Sequence, residues 1–202
     1  MPKLTTSAVT KPAAGPRRLD LPATKADLSA LRTGDEVRLF GDVYTARDAG
    51  HARLLAAIAQ DGELPFGLAG QTLFYAGPTP AAEGYPAGSV GPTTAGRMDF
   101  AKPDLLAAGI VAVIGKGSRS PEARAAFIEN GAVYFAAVGG AATLLGRHVV
   151  AAEPIAWPEL GTEALVRLTL DDFPVFVALD VHGTDLYEVA PHEWRAEKED
   201  AS

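Results

Sequence analysis

The amino-acid sequence predicts an α/β domain, because short apolar strands repeatedly run into glycine-containing loops and helices follow those loops. Three such strands are expected in the segments "QTLFYAG", "AAGIVAVIGKGS" and "AVYFAAVGG". In open α/β sheets, ligands bind in the loops at the carboxyl ends of the strands. The sequence shows no internal repeat, and a single domain is therefore expected.

The first half of the chain predicts an arm, a strand and a helix. Residues 1–20 are rich in Thr, Ala, Pro and basic residues without periodicity, which predicts a flexible N-terminal arm. A short helical turn should follow, and then a strand whose apolar residues alternate with polar or small ones at Val37, Leu39 and Val43. The segment "DAGHARLLAAIAQDG" predicts a helix that begins near Asp48.

The second half contains the best-marked helix of the chain. In "SPEARAAFIENG", Ser120 is the expected cap, Pro121 takes the first helical position and Gly131 ends the helix. A short helix in "AATLLGRHVV", a strand in "FPVFVALD" and a turn followed by a strand in "VHGTDLYEV" are expected next. The expected domain spans 21–190, and a charged, frayed C-terminal tail is expected at 191–202.

Composition excludes several classes of function. The net charge of −7 and the pI of about 5.1 argue against a nucleic-acid-binding protein and against docking on an acidic membrane. The chain has no cysteine, so it supplies no disulfide and no thiolate to an iron–sulfur cluster. The sequence has no apolar run of about 18 residues and no apolar secretory core, which predicts a cytoplasmic protein.

Basic residues recur in or beside glycine turns. They lie in "TARDAGH", "GPTTAGRMD" and "GKGSRS", as Arg47, Arg97, Lys116 and Arg119. Guanidinium groups bind carboxylates in a two-pronged way, and glycine lets backbone N–H groups approach the same anion. If Pro92 opens a helix, Thr93 and Arg97 share one helix face.

Other interpretations of these motifs compete with anion binding. Taken alone, "GPTT" is typical of a turn with a helix cap. The lysine of "GKGSRS" precedes its second glycine, so the segment fails the pattern of a phosphate-binding P-loop. The four histidines, at 51, 148, 182 and 192, lack the spacing of metal ligands.

Taken together, the motifs resemble those of class I, iron–sulfur-dependent fumarate hydratases. The matching segments, in the same order, are "YTARDAGHARL", "GPTTAGRMD", "IGKGSRS", "VGGAA", "WPELGTEA" and "DFPVFVALDVHGTDLY". The resemblance covers roughly 20–190 and is to the C-terminal domain, which many prokaryotes make as a separate β subunit. It implies a swivelling β/β/α domain and reversible hydration of fumarate to L-malate. It also implies a [4Fe–4S] cluster held by three cysteines, which here must come from a partner α subunit, with α2β2 assembly.

The resemblance further implies roles for individual residues. The family's substrate-binding cations are matched by Arg47, Arg97 and Lys116. Thr93 matches the proposed base that takes the C3 proton of malate, and Thr94 lines the same pocket. A threonine hydroxyl is a poor base, so the alternative is that Thr93 only donates a hydrogen bond and the base lies on the other subunit. Asp48 and His51 are expected to contact Arg47 rather than the substrate and to orient its side chain.

Fumarate is favoured over tartrate as the substrate. The related L-tartrate dehydratases share "GPTT". They lack the Gly-Arg-Met-Asp sequence that this chain has at 96–99 and the Ser-Arg-Ser sequence that it has at 118–120. One departure from the family is "GTEA" at 161–164, where Gly-Met-Glu-Ala is frequent, and we expect it to lie away from the site. Two alternatives stay open: a hydro-lyase for tartrate or a methylated fumarate, and a dicarboxylate-binding module without catalysis.

Overall fold

The computed structural model describes residues 15–60 and 62–200, and it confirms a mixed α/β fold. The strands are Arg17–Asp20 (β1), Glu36–Thr45 (β2), Thr72–Phe74 (β3), Ala112–Gly115 (β4), Val133–Ala136 (β5), Val149–Ala156 (β6) and Leu165–Leu179 (β7). The α-helices are Lys25–Ser29 (α1), Asp48–Ala59 (α2), Lys102–Ala107 (α3), Pro121–Asn130 (α4), Ala142–Gly146 (α5) and Leu186–Asp200 (α6). Two 3-10 helices lie at Ala95–Ala101 and Pro158–Glu163.

Five of the strands close into a small barrel. The sheet order is β1-β2-β3-β4-β5-β7-β6, and β2 also pairs with β7, which closes the ring β2-β3-β4-β5-β7. Strands β2, β3, β4 and β5 run parallel to one another, and β7 is antiparallel to both β2 and β5. Strands β1 and β6 are not members of the ring: β1 pairs with β2, and β6 pairs with β7. The carboxyl ends of β2, β3, β4 and β5 therefore meet at one end of the barrel.

Alternating side chains divide the apolar residues into two cores. On β4, Ala112 and Ile114 join the core inside the ring, whereas Val113 faces the helices outside it. On β5, Phe135 points inward and Tyr134 outward in the same way. The outer core packs α2, α3 and α4 against the sheet. The barrel interior is therefore filled with side chains, and a ligand must bind at its end rather than inside it.

The best-marked helix of the sequence is confirmed in detail. The Ser120 hydroxyl accepts from the Ala123 N–H at 3.1 Å, Pro121 begins α4, and Gly131 follows the helix with a φ of +63°. Helix α2 also begins at the expected residue, Asp48.

The structure differs from the sequence-based expectation at both ends of the domain. The last four residues of the predicted arm form β1, because Leu19 is buried and its strand pairs in parallel with β2. The strand expected in "VHGTDLYEV" is wrong: Asp185 accepts from the Tyr187 N–H at 2.9 Å, and α6 begins there and continues through 191–200 of the predicted tail. Residues 1–14 and 201–202 lie outside the described residues.

The domain boundaries and the swivelling β/β/α arrangement stay predictions. None of the helices that the structure describes is long and apolar enough to cross a membrane.

Candidate active site

The segment that contains Thr93 and Thr94 runs between the carboxyl ends of β3 and β4. The Thr93 N–H donates to the Tyr75 carbonyl at 2.5 Å, and the Thr93 carbonyl accepts from the Lys116 N–H at 3.2 Å. Thr94 forms a parallel bridge with Lys116. These bonds hold both threonines at the end of the barrel where the sequence predicts ligand-binding loops.

Pro92 does not open a helix, which corrects the expected sharing of one helix face by Thr93 and Arg97. The 3-10 helix begins only at Ala95, whose N–H donates to the Lys116 carbonyl at 2.8 Å. Backbone groups just beyond β3 and β4 need partners, and the threonine segment supplies them. Thr93 and Arg97 therefore reach the site from different backbone elements.

Arg97 lies on this 3-10 helix and donates from Nη2 to Asp48 Oδ2 at 2.6 Å. Because α2 packs against the 3-10 helix, Asp48 pairs with Arg97 rather than with Arg47, which corrects the expected partner of this acid. The Arg97 side chain is 52% exposed. Its remaining N–H groups are therefore accessible to an anion from solution.

Arg47 lies between β2 and α2, at the adjacent strand end. Its Nη2 lies 3.4 Å from Glu163 Oε1. His51 is fully buried, its Nδ1 lies 2.8 Å from the Arg47 carbonyl oxygen, and its ring packs edge-on against Tyr75. His51 thus supports the backbone of Arg47, whereas Glu163 contacts the guanidinium.

Lys116 directly follows β4, and the loop that carries it is held from two sides. The Gly117 N–H donates to the Tyr187 hydroxyl at 3.0 Å, and the Gly117 carbonyl accepts from the Tyr134 hydroxyl at 2.9 Å. Burial raises the pKa of the Tyr134 phenol, so the hydroxyl stays protonated and keeps donating. Gly117 has a φ of +83°, which only glycine adopts without strain.

The structure therefore brings the expected site residues to one end of the barrel. Three cations and two hydroxyls follow three neighbouring strands: Arg47, Thr93, Thr94, Arg97 and Lys116. Guanidinium, ammonium and hydroxyl groups are the kinds of group that bind carboxylates.

Comparison with known proteins agrees with this chemistry. The family model described as "Fumarase C-terminus" matches residues 2–190. The chain belongs to this family. It is 37% identical to the anaerobic class I fumarate hydratase of Escherichia coli strain K12, over 81% of this chain and 30% of that protein. It is 36% identical to fumarate hydratase 2 of Leishmania major, over 81% of this chain and 29% of that protein.

A second kind of relative matches this fumarase C-terminus domain over most of its own length. The chain is 36% identical to the "Putative L(+)-tartrate dehydratase subunit beta" of Methanocaldococcus jannaschii, over 82% of this chain and 88% of that protein. The domain spans about 30% of the length of the fumarate hydratases and most of the length of the tartrate relative. The resemblance to the fumarase and tartrate dehydratase family is thereby confirmed.

Arg119, the fourth cation of the sequence motifs, is buried, unlike the other three. Its side chain is fully buried, pairs with Asp99 and lies among the rings of Tyr75, Phe127 and Tyr134. The second oxygen of Asp99 accepts from the Ser120 N–H at 2.7 Å. This pair joins "GPTTAGRMD" to "GKGSRS" and has a structural role in the fumarase C-terminus domain.

Sequence reasoning missed two residues that border the site. Glu163 lies within "GTEA", so the expectation that this segment lies away from the site is wrong. Tyr187 is the last residue of "DFPVFVALDVHGTDLY", and its hydroxyl accepts from the Gly117 N–H. Both segments match the family, but only tertiary structure shows what they contact.

The residues of this domain do not fit a metal cluster. The chain contains no cysteine. Among the side chains that the structure describes, no three of His, Asp or Glu lie close enough together to hold a metal ion. His148 and His182 instead lie within hydrogen-bond distance of backbone carbonyls.

Replacing Tyr187 by phenylalanine should loosen the loop that carries Lys116. The variant loses the acceptor for the Gly117 N–H, and one such hydrogen bond contributes about 1 kcal/mol. We expect hydrogen exchange of the Gly117 amide to become roughly five- to tenfold faster, measured by NMR. Tyr85→Phe, in an exposed loop, is the control, and an unchanged Gly117 exchange rate in Tyr187→Phe would contradict the role of this hydroxyl.

Proposed function

We propose that this domain acts as the β subunit of a hydro-lyase that interconverts fumarate and L-malate. The observation that carries the proposal is that Arg47, Arg97 and Lys116 lie at the barrel end that also carries the threonine segment. The substrate has two carboxylates, and the two guanidinium groups can each bind one in a bidentate way. Lys116 adds a third positive charge at the same barrel end.

The charges around the arginines suit a small dianion. Each arginine already contacts one acid, Asp48 or Glu163, through a single Nη2 atom. Arg47 Nε is buried, so the remaining Nη hydrogens of Arg47 and the remaining N–H groups of Arg97 bind the substrate, and the acids hold the guanidinium planes in place. The chain thereby fixes the carboxylates and leaves C2 and C3 facing the open end of the barrel.

Thr93 is proposed as the group that takes the C3 proton of malate. Its backbone is hydrogen-bonded to residues at the ends of both neighbouring strands, which fixes the backbone position from which its hydroxyl extends. A hydroxyl needs nearby cations to serve as a base, and Arg47, Arg97 and Lys116 supply them. Thr94 lines the same end of the barrel.

The proposal requires a partner α subunit that holds a [4Fe–4S] cluster, since this chain has no thiolate to offer. The cluster would supply Lewis-acid chemistry at the substrate hydroxyl. Assembly as α2β2 is expected.

Tartrate is the second candidate substrate. The observation that favours it is the match to 88% of a protein named as a tartrate dehydratase β subunit. In the resulting reaction the same cations would bind the two carboxylates of tartrate.

The experiment measures fumarate absorbance with this chain alone and with an anaerobically reconstituted α partner. Turnover only in the mixture supports the proposal. Turnover of tartrate but not of fumarate or malate would identify tartrate, the second candidate, as the substrate. A verified cluster with no turnover of any dicarboxylate would overturn the enzymatic proposal and leave a binding module.

A further inference from the structure

We infer that Glu163 is a positioning residue that holds the Arg47 guanidinium in the orientation required for substrate binding, an inference that rests on the proposed function. Glu163 ends the 3-10 helix before β7, far from Arg47 in sequence. Its Oε1 lies 3.4 Å from Arg47 Nη2. The two side chains are 25% and 26% exposed, so the contact lies partly out of water.

The second oxygen of Glu163 fixes the carboxylate itself. Oε2 accepts from the Ala49 N–H at 2.9 Å. Ala49 lies in the first turn of α2, where N–H groups have no partner within the helix and negative charge is favoured. The carboxylate therefore bridges the start of α2 and the guanidinium.

A close backbone approach confines Arg47 from another side. A Cβ at Gly77 would lie 2.5 Å from the Thr162 carbonyl oxygen and 3.1 Å from the Arg47 Cδ. The arginine side chain thus passes over Gly77, beside the segment that carries Glu163. Three chain segments, at 47–49, 77 and 162–163, meet around one side chain.

This arrangement reduces the entropic cost of binding. A free arginine side chain loses rotamer freedom when it binds a ligand, and a side chain already held in place loses less. Arg97 has a matching acid in Asp48, which lies on α2 itself. For Arg47 the acid comes from the 3-10 helix Pro158–Glu163, so the placement of this cation depends on that helix.

The test compares Glu163→Gln with Glu159→Gln in the full chain. Glutamine keeps an acceptor for the Ala49 N–H but removes the charge that holds Arg47. Glu159 lies on the same 3-10 helix, is exposed and pairs with Arg53, so it is the matched control. The first readout is the NMR order parameter of the Arg47 Nε–H group.

In Glu163→Gln we expect this order parameter to fall below about 0.6, the range of flexible groups, while Glu159→Gln keeps the wild-type value. In the reconstituted complex, Glu163→Gln should raise KM for the dicarboxylate roughly tenfold and leave kcat nearly unchanged.

An unchanged order parameter in Glu163→Gln would overturn the inference. A reduced order parameter with an unchanged KM would also overturn it, because Arg47 would then bind substrate without being held. A wild-type complex without activity would contradict the proposed function instead, and the order parameter would still decide whether Glu163 holds Arg47.

Discussion

A complex that carries Arg97→Ala should lose at least about a hundredfold in kcat/KM and unfold at the same urea concentration as the wild type. The loss corresponds to about 2.7 kcal/mol of transition-state stabilisation, typical of removing one member of a charge-assisted pair with a carboxylate. Stability should not change, because the side chain is half exposed and contacts solvent-accessible Asp48. The measurements are steady-state kinetics with the dicarboxylate that the wild type converts, and urea titration.

Arg53→Ala is the matched control for this prediction. Arg53 lies on α2, is partly exposed and pairs with the exposed acid Glu159, so its removal should leave turnover unchanged. Arg97→Lys keeps the positive charge but loses the planar guanidinium that binds a carboxylate through two N–H groups. Its turnover rate should lie between those of the wild type and Arg97→Ala. Wild-type turnover in Arg97→Ala would remove Arg97 from the proposed site.

Asp99→Asn should lower the free energy of unfolding by about 3–5 kcal/mol, because it leaves the buried Arg119 charge without its counter-ion. The Arg119 side chain is fully buried, and burial lowers its pKa while the neighbouring Asp99 carboxylate favours the charged form. Asparagine can still accept from the Ser120 N–H, so the effect measures the loss of charge rather than the loss of that bond. Urea unfolding of the isolated chain is the measurement.

A second variant separates this charge effect from a general packing defect. Arg119→Met in the Asp99→Asn background removes the unpaired charge and should restore part of the lost stability. Glu159→Gln, which breaks an exposed pair, should change the free energy of unfolding by less than about 1 kcal/mol. Equal losses of unfolding free energy in Asp99→Asn and Glu159→Gln would show that leaving the buried Arg119 charge unpaired does not destabilise the fold.

Local sequence signals predict much of this fold. Helix α4 has a cap, a first-turn proline and a terminal glycine, all within its own residues. Strands β3, β4 and β5 are apolar runs that end near glycine. The barrel could not be predicted in this way, because its closing pairs, such as Glu36 with Phe176, join residues far apart in the chain.

In the candidate site, too, local sequence predicts some features and long-range packing determines the others. The identities of Arg47, Thr93, Arg97 and Lys116 followed from their motifs, but their mutual arrangement did not. The local pattern of "GPTT" allows a helix start, and only the open backbone groups beyond β3 and β4 explain the extended conformation. Glu163 was missed because its partner is set by tertiary packing.

Closure of the barrel by β7 has a consequence for how the chain folds. Strand β2 is made early, but its antiparallel neighbour in the ring is the last strand of the chain. Pairing between such distant segments gives a high contact order, and domains of this kind fold slowly. On the ribosome, the nascent domain therefore exposes an unpaired β2 edge until Leu165–Leu179 emerges, and this is the interval in which it is most prone to aggregate.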